Sequence, residues 1–163
     1  MRGRFDTSHV RRLLSAALFL VGLLFAGPAL AQIDQYTVGV DGMACPFCAY
    51  GIEKKLKALE GVSSLEIHIE KGTVDVSVGE GKTVTPDDIQ TAIQEAGFEL
   101  RDLEIRGKAT LTDADPPKAR FTDQLSLPIR GDIPGTGERT VRGMVSRENG
   151  QWTLRLTETG GGP

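Results

Sequence analysis

The 163-residue chain carries 19 Lys and Arg against 22 Asp and Glu, a formal net charge of −3, with two cysteines and two histidines. This acidic balance argues against nucleic acid and anionic lipid as partners. So few histidines leave almost nothing from which to build a histidine-based catalytic or zinc site.

Residues 1–31 read as an address rather than a fold. Arg2, Arg4, Arg11 and Arg12 precede an apolar run over residues 13–25, and Ala29-Leu30-Ala31 closes it with small residues. A charged start, a short apolar core and an A-x-A site form the secretory signal pattern, and the run is too short to span a bilayer. The expected mature chain therefore begins at Gln32, is exported to the periplasm and inserts into no membrane after cleavage. Beyond position 31 there are fifteen basic and twenty-one acidic residues, net −6, and the only histidine is His68.

Residues 32–106 read as strand, helix, strand, strand, helix, strand. Alternation predicts a first strand over 35–41, and Ile52, Leu56 and Leu59 mark a helix over 46–59 that Glu60-Gly61 stops. Residues 64–70 and 73–78 alternate on either side of Lys71-Gly72, which makes a hairpin. Thr85 then reads as an N-cap and Pro86 as a first helical residue, with Asp87 and Asp88 complementing the dipole. Ile89, Ala92, Ile93 and Ala96 form one apolar stripe. Gly97 ends this helix, and Phe98-Glu99-Leu100 opens a last strand. The order is that of the ferredoxin-like βαββαβ plan, an α+β fold with two helices on one sheet face.

Residues 107–163 read differently. Asp113-Ala114-Asp115-Pro116-Pro117 is a turn or linker, with the two aspartates as turn residues rather than cation ligands. Short alternating runs follow over 121–129, 140–147 and 152–157, with Asn149-Gly150 as a hairpin turn. With a further strand over 103–111 they make a small all-β module. It has a faint OB-like likeness in residues 141–145 and 152–156, and Trp152 is its expected core anchor. So small a unit is marginal alone and is expected to pack on the first domain. Residues 160–163 read as a loose tail.

The chemistry of the chain is concentrated in Cys45-Pro46-Phe47-Cys48, on the turn from the first strand into the first helix. Exposed amides and the macrodipole at a helix start favour thiolates, Cys48 more than Cys45 in this reading. Two thiols so placed can hold a soft metal, exchange disulfides or pair with each other. Pairing alone is a poor staple, because the loop it closes is minimal. Two-coordinate sulfur suits a soft ion, Cu(I) or Hg(II), whereas zinc wants four ligands. Met43 reads as packing beneath the loop and His68 as a solvated strand residue.

Gly42-Met43-Ala44-Cys45-Pro46-Phe47-Cys48, followed by Gly61-Val62 and Ala96-Gly97-Phe98, resembles the heavy-metal-associated domain family, which includes copper chaperones and exported mercury-binding proteins. The likeness runs from about Ile33 to Arg106. It implies a ferredoxin-like fold in which Cys45 and Cys48 bind Cu(I), Hg(II) or a similar soft ion. A monomeric, non-enzymatic carrier would then hand its ion to a membrane metal transporter or efflux ATPase with cysteine ligands. Phe98 matches the position that shields the metal loop in that family, its other reading being an ordinary core phenylalanine. The alternative is a thioredoxin-like oxidoreductase using the same cysteine pair. That plan needs a parallel βαβ core and a proline loop facing the cysteines, and Thr85-Pro86 reads better as a helix start.

Overall fold

The computed structural model describes residues 31–160. The expected signal peptide, but for Ala31, and residues 161–163 of the expected tail lie outside them. Chain order is β1 (Gln32–Asp41), α1 (Pro46–Lys57), β2 (Val62–His68), β3 (Thr73–Val78), α2 (Pro86–Glu95), β4 (Glu99–Thr112), β5 (Lys118–Arg120), β6 (Ser126–Pro128), β7 (Gly137–Glu148) and β8 (Gln151–Gly160). The first four strands pair in the order β2-β3-β1-β4, all antiparallel, which is the ferredoxin-like sheet. No parallel βαβ core of the thioredoxin kind occurs among these strands.

Alternation fixes which face of the sheet is covered. Tyr36, Val38 and Val40 of β1, Val74 and Val76 of β3, and Leu103 and Ile105 of β4 are buried against Ala49, Ile52 and Leu56 of α1 and Ile89, Ala92 and Ile93 of α2. The second helix starts as its sequence requires. Thr85 Oγ1 accepts from the Asp88 amide at 3.2 Å, and the Thr85 amide donates to Asp88 Oδ2 at 2.8 Å. Residues 69–71, expected as strand end and turn, form a single 3-10 turn closed by Gly72 at φ 63°.

Tyr36 ties the core to the loop before α2. Its hydroxyl donates to the Val84 carbonyl at 2.5 Å, and burial, reinforced by the nearby Asp88 charge, pushes the phenol well above its ordinary range. The neutral phenol thus stabilises the fold below about pH 10, and that contribution is lost as alkali ionises the tyrosine of the unfolded chain. Tyr36→Phe leaves the Val84 carbonyl without its partner. It should cost about 1–3 kcal/mol in denaturant melts at pH 7, and the mutant should show a smaller loss of stability above pH 10 than the parent.

The boundary expected between residues 106 and 107 falls inside β4. The two strands expected over 98–100 and 103–111 are one strand of 14 residues, because its apolar alternation runs unbroken from Leu103 through Ala109 to Leu111. One edge of β4 pairs with β1, and the other pairs with β7 from Leu103–Val145 to Leu111–Gly137. Strands β4, β5, β6, β8 and β7 then form a ring, closed by a parallel bridge between Ile129 and Leu154 and by the Arg130 amide donating to the Leu154 carbonyl at 2.8 Å. Trp152 and Phe121 are in its core, continuous with that under the helices. The strand expected over 121–129 is instead a turn followed by the short β6. Thr122 Oγ1 accepts from the amides of Gln124 and Leu125 and bends the chain there. Asn149 and Gly150, both at positive φ, make the expected hairpin turn.

Gly107 of β4 pairs with Ile33, beside a bulge in β1. A Cβ there would run into the Gln32 carbonyl and lie 2.7 Å from Ile33 Cα, both backbone atoms that cannot swing away. Gly107→Ala should therefore destabilise by about 1–3 kcal/mol, read as a lowered melting midpoint.

Candidate metal centre

The cysteine loop hangs between the end of β1 and the start of α1. Gly42 turns at φ 80°, and the Ala44 amide donates to the Gly42 carbonyl at 2.9 Å. Cys45 is the N-cap of α1, with extended backbone at φ −140°, ψ 153°, and Pro46 follows where its missing N–H costs nothing. The Cys48 amide donates to Cys45 Sγ at 3.2 Å. The helix start thus serves Cys45 directly, whereas the sequence pattern assigns Cys48 the larger benefit. A residue at the N-cap turns its side chain back onto the first free amides, and that geometry decides the order.

Both cysteines are half-buried, and their Cα atoms lie 5.2 Å apart with the two sulfurs joined in a disulfide. The pair read for its chemistry is therefore closed here, and it must be reduced before it can ligate an ion. Met43 is buried beneath the loop, as expected for packing. Phe98 is half-buried, packs on the core and lies 3.9 Å from where a Gly42 Cβ would stand, so it serves core and loop together. Phe47 between the cysteines is 90% exposed and Tyr50 is 67% exposed.

The other residues read from the sequence stay out of the site. His68 is on β2; rather than free in solvent it is half-buried, with Nε2 3.3 Å from Asp75 Oδ2. Asp113 and Asp115 are exposed in the turn after β4. Among the described residues no group of three or more His, Cys, Asp or Glu is placed to hold a metal, and no helix is long and apolar enough to cross a membrane. A 660 Å³ groove between the two parts of the molecule, lined in part by Gln32, Lys82, Thr110 and Arg120, lies at the opposite end of β1 from the cysteines.

Sequence reasoning missed two features. One is the outward pair Phe47 and Tyr50, legible as the complement of the buried Ala49-Ile52-Leu56 stripe. The other is Arg147 of β7, which reaches Asp87 at 3.2 Å and Gln90 at 2.9 Å on α2 and stacks 5.4 Å over the Trp152 ring. Sequence pattern holds no signal for that long-range contact.

A ferredoxin-like sheet with a two-cysteine loop opening its first helix defines a class of ion-binding domain. The family model described as "Heavy-metal-associated domain" matches residues 37–99. The chain is 37% identical over 68 residues to the copper chaperone CopZ of Bacillus subtilis (strain 168), covering 42% of this chain and 97% of that protein. It is 34% identical over 69 residues to the copper chaperone CopZ of Staphylococcus epidermidis (strain ATCC 12228 / FDA PCI 1200), covering 42% of this chain and all of that one. Oxidized MerP from Ralstonia metallidurans CH34 is 25% identical with a TM-score of 0.38, covering 42% of this chain and 93% of that one. The chain belongs to the heavy-metal-associated domain family.

Proposed function

We propose that this protein is a periplasmic carrier of a soft metal ion, Cu(I) or Hg(II), which the reduced Cys45 and Cys48 bind and pass on. The observation that carries this reading is the cysteine pair itself, on an exposed loop at a helix start with no third ligand beside it among the described residues. Two thiolates satisfy a soft d¹⁰ ion and leave room for an incoming sulfur, as transfer requires. The CopZ relatives, named copper chaperones, favour Cu(I) of the two ions. Export rests on the signal pattern in residues 1–31. The recipient is a membrane metal transporter or efflux ATPase with cysteine ligands, reached through a shared-ligand intermediate by a monomer that catalyses no reaction.

Loading follows a balanced sequence. A dithiol reductant supplies two electrons and two protons to open the Cys45–Cys48 bond and leaves as its own disulfide. The metal then displaces the protons of the two thiols. Titration with Cu(I) against a competing chelator tests the reading. The reduced protein should bind one equivalent and the oxidised protein none; tight binding by the oxidised form would refute it. In a metal-free turnover assay on a disulfide substrate the protein should exchange only stoichiometrically.

The C-terminal ring is read as an OB-like barrel that docks or spaces and holds no metal. Its five-stranded closed order, with the third and fifth strands meeting in parallel, supports the likeness. A chain ending at Lys108 keeps every β1 partner of β4 and spans nearly the whole CopZ length. Its Cu(I) affinity should stay within about threefold of the full chain, under 1 kcal/mol. Its melting midpoint should fall by at least about 5 °C, because the β7 pairing and the Arg147 contacts are gone. A larger loss of affinity would mean that the barrel completes the site.

A further inference from the structure

Gln32 is the residue that the A-x-A pattern at Ala29-Leu30-Ala31 leaves first in the mature chain. First residues are seldom tied down, yet this one is held at both its backbone and its side chain. β4 holds the backbone: Gln32 pairs with Lys108, and its carbonyl lies against Gly107. The side-chain amide is held from both ends. Oε1 accepts from the Gly81 amide at 2.9 Å, and Nε2 donates to Asp34 Oδ1 at 3.1 Å. Gly81 belongs to the loop between β3 and α2, so the first contact ties the start of β1 to a segment 49 residues away.

These are the groups that acyl transfer at an amide carbonyl requires. A backbone N–H on the oxygen stabilises the negative charge that gathers there when a nucleophile adds. A carboxylate beside the nitrogen can take a proton from the nucleophile and return it to the leaving group. Hydrogen bonds at an amide oxygen and nitrogen lie near the amide plane, so both leave its faces free for attack. Gln32 and Gly81 also line the 660 Å³ groove, which gives the side chain open space beside it. The nucleophile is supplied by cleavage. In the uncleaved chain the Gln32 backbone nitrogen belongs to a peptide bond and attacks nothing. Cleavage after Ala31 turns it into a primary amine, about half of it uncharged near pH 8. Closing that amine onto Cδ of its own side chain makes a five-membered lactam.

We propose that Gln32 is a modification site: once freed by cleavage, its α-amine attacks its own side-chain amide, assisted by Gly81 and Asp34, and caps the chain as pyroglutamate. The N–Cδ bond forms and the Cδ–Nε2 bond breaks. Asp34 relays the proton lost by the amine to the leaving nitrogen, which departs as ammonia, so no oxidant or co-reactant is consumed. The cap removes a positive charge and a free amine from the end of β1 opposite the cysteines, and it denies aminopeptidases their substrate. This rests on the export reading above for the cleavage that starts it, and not on which ion the cysteines carry.

Two measurements of intact mass test it. The protein recovered from a bacterium that exports the whole 163-residue chain should have the mass of residues 32–163 less one ammonia, about 17 Da. A second sample, residues 32–163 released from a fusion with Gln32 first, is purified and followed at about pH 8, where half of the amine is free to attack. Folded, it should cyclise about tenfold faster than in urea. Asp34→Asn, which keeps a hydrogen-bond acceptor but no base, should remove most of that advantage. Asp34 is exposed, so this variant should keep the parent's thermal melt and Cu(I) binding, which separates proton relay from loss of fold. A purified chain that keeps Gln32 intact, cyclises no faster folded than unfolded, or is indifferent to Asp34→Asn would overturn the proposal. So would an exported chain that begins at an uncyclised Gln32. An exported chain that begins at another residue would overturn the export reading, and with it the modification in the cell; the released chain tells that failure apart from a failure of the cyclisation.

Discussion

Replacing both Cys45 and Cys48 with serine should weaken Cu(I) binding by at least about a thousandfold, roughly 4 kcal/mol, with the fold unchanged. The size follows from the donor set. No third His, Cys, Asp or Glu stands with the pair among the described residues, so the loss of the sulfurs has no local compensation. A serine hydroxyl is a hard donor that a soft ion does not favour. The fold should survive, because the loop packs through Met43 and Phe98 rather than through the half-buried cysteines. Serine is also a good N-cap, so position 45 can still accept the amide of residue 48. Each single variant should lose most of the affinity, since one thiolate cannot hold the ion two-coordinate. Chelator competition gives the affinities, and far-ultraviolet circular dichroism with a thermal melt checks the fold. Retained tight binding in the double variant, still folded, would place the metal elsewhere.

Much of this site is legible in the amino-acid sequence. Two cysteines three apart, between an alternating run and a helix-period run, locate the turn. The Thr85-Pro86-Asp87-Asp88 start of α2 reads correctly because local hydrogen bonds determine it. The C-terminal half is harder, since its organisation is non-local. Nothing near Leu103 announces that Val145 will pair with it, and so one 14-residue strand is easily divided into the end of one domain and the start of the next. Likewise the turn at Thr122 depends on a side chain competing for backbone amides, which hydropathy alternation cannot register. The order of benefit between the two sulfurs also depends on local geometry finer than sequence pattern. A shift of the N-cap by one residue would send the helix amide elsewhere.

The second large effect is the pH dependence of loading. Both thiols must surrender protons to the ion, so each one still protonated at a given pH adds a factor of about ten in apparent affinity per pH unit. An ordinary cysteine thiol titrates near pH 8.5. Cys45 is the sulfur to which the helix start donates an amide, and that interaction favours its thiolate once the disulfide is opened. Near neutral pH the slope of log affinity against pH should therefore be close to one, the proton coming from Cys48, and it should steepen toward two as Cys45 also protonates in acid. Between pH 7.5 and 5.5 the apparent affinity should fall by at least about a hundredfold. The measurement is chelator competition across that range, corrected for the chelator's own protonation. Cys48→Ser should flatten the neutral slope toward zero, whereas Cys45→Ser should hold it at one throughout. A flat profile in the parent protein would show that the ion is not held by displacing thiol protons, and a neutral slope of two would show that the amide reaching Cys45 gives its thiolate no advantage. Under the predicted profile, mild acid loosens the ion from Cys48 first and leaves it tethered through Cys45 at the helix cap, which is the half-open state that an incoming cysteine needs.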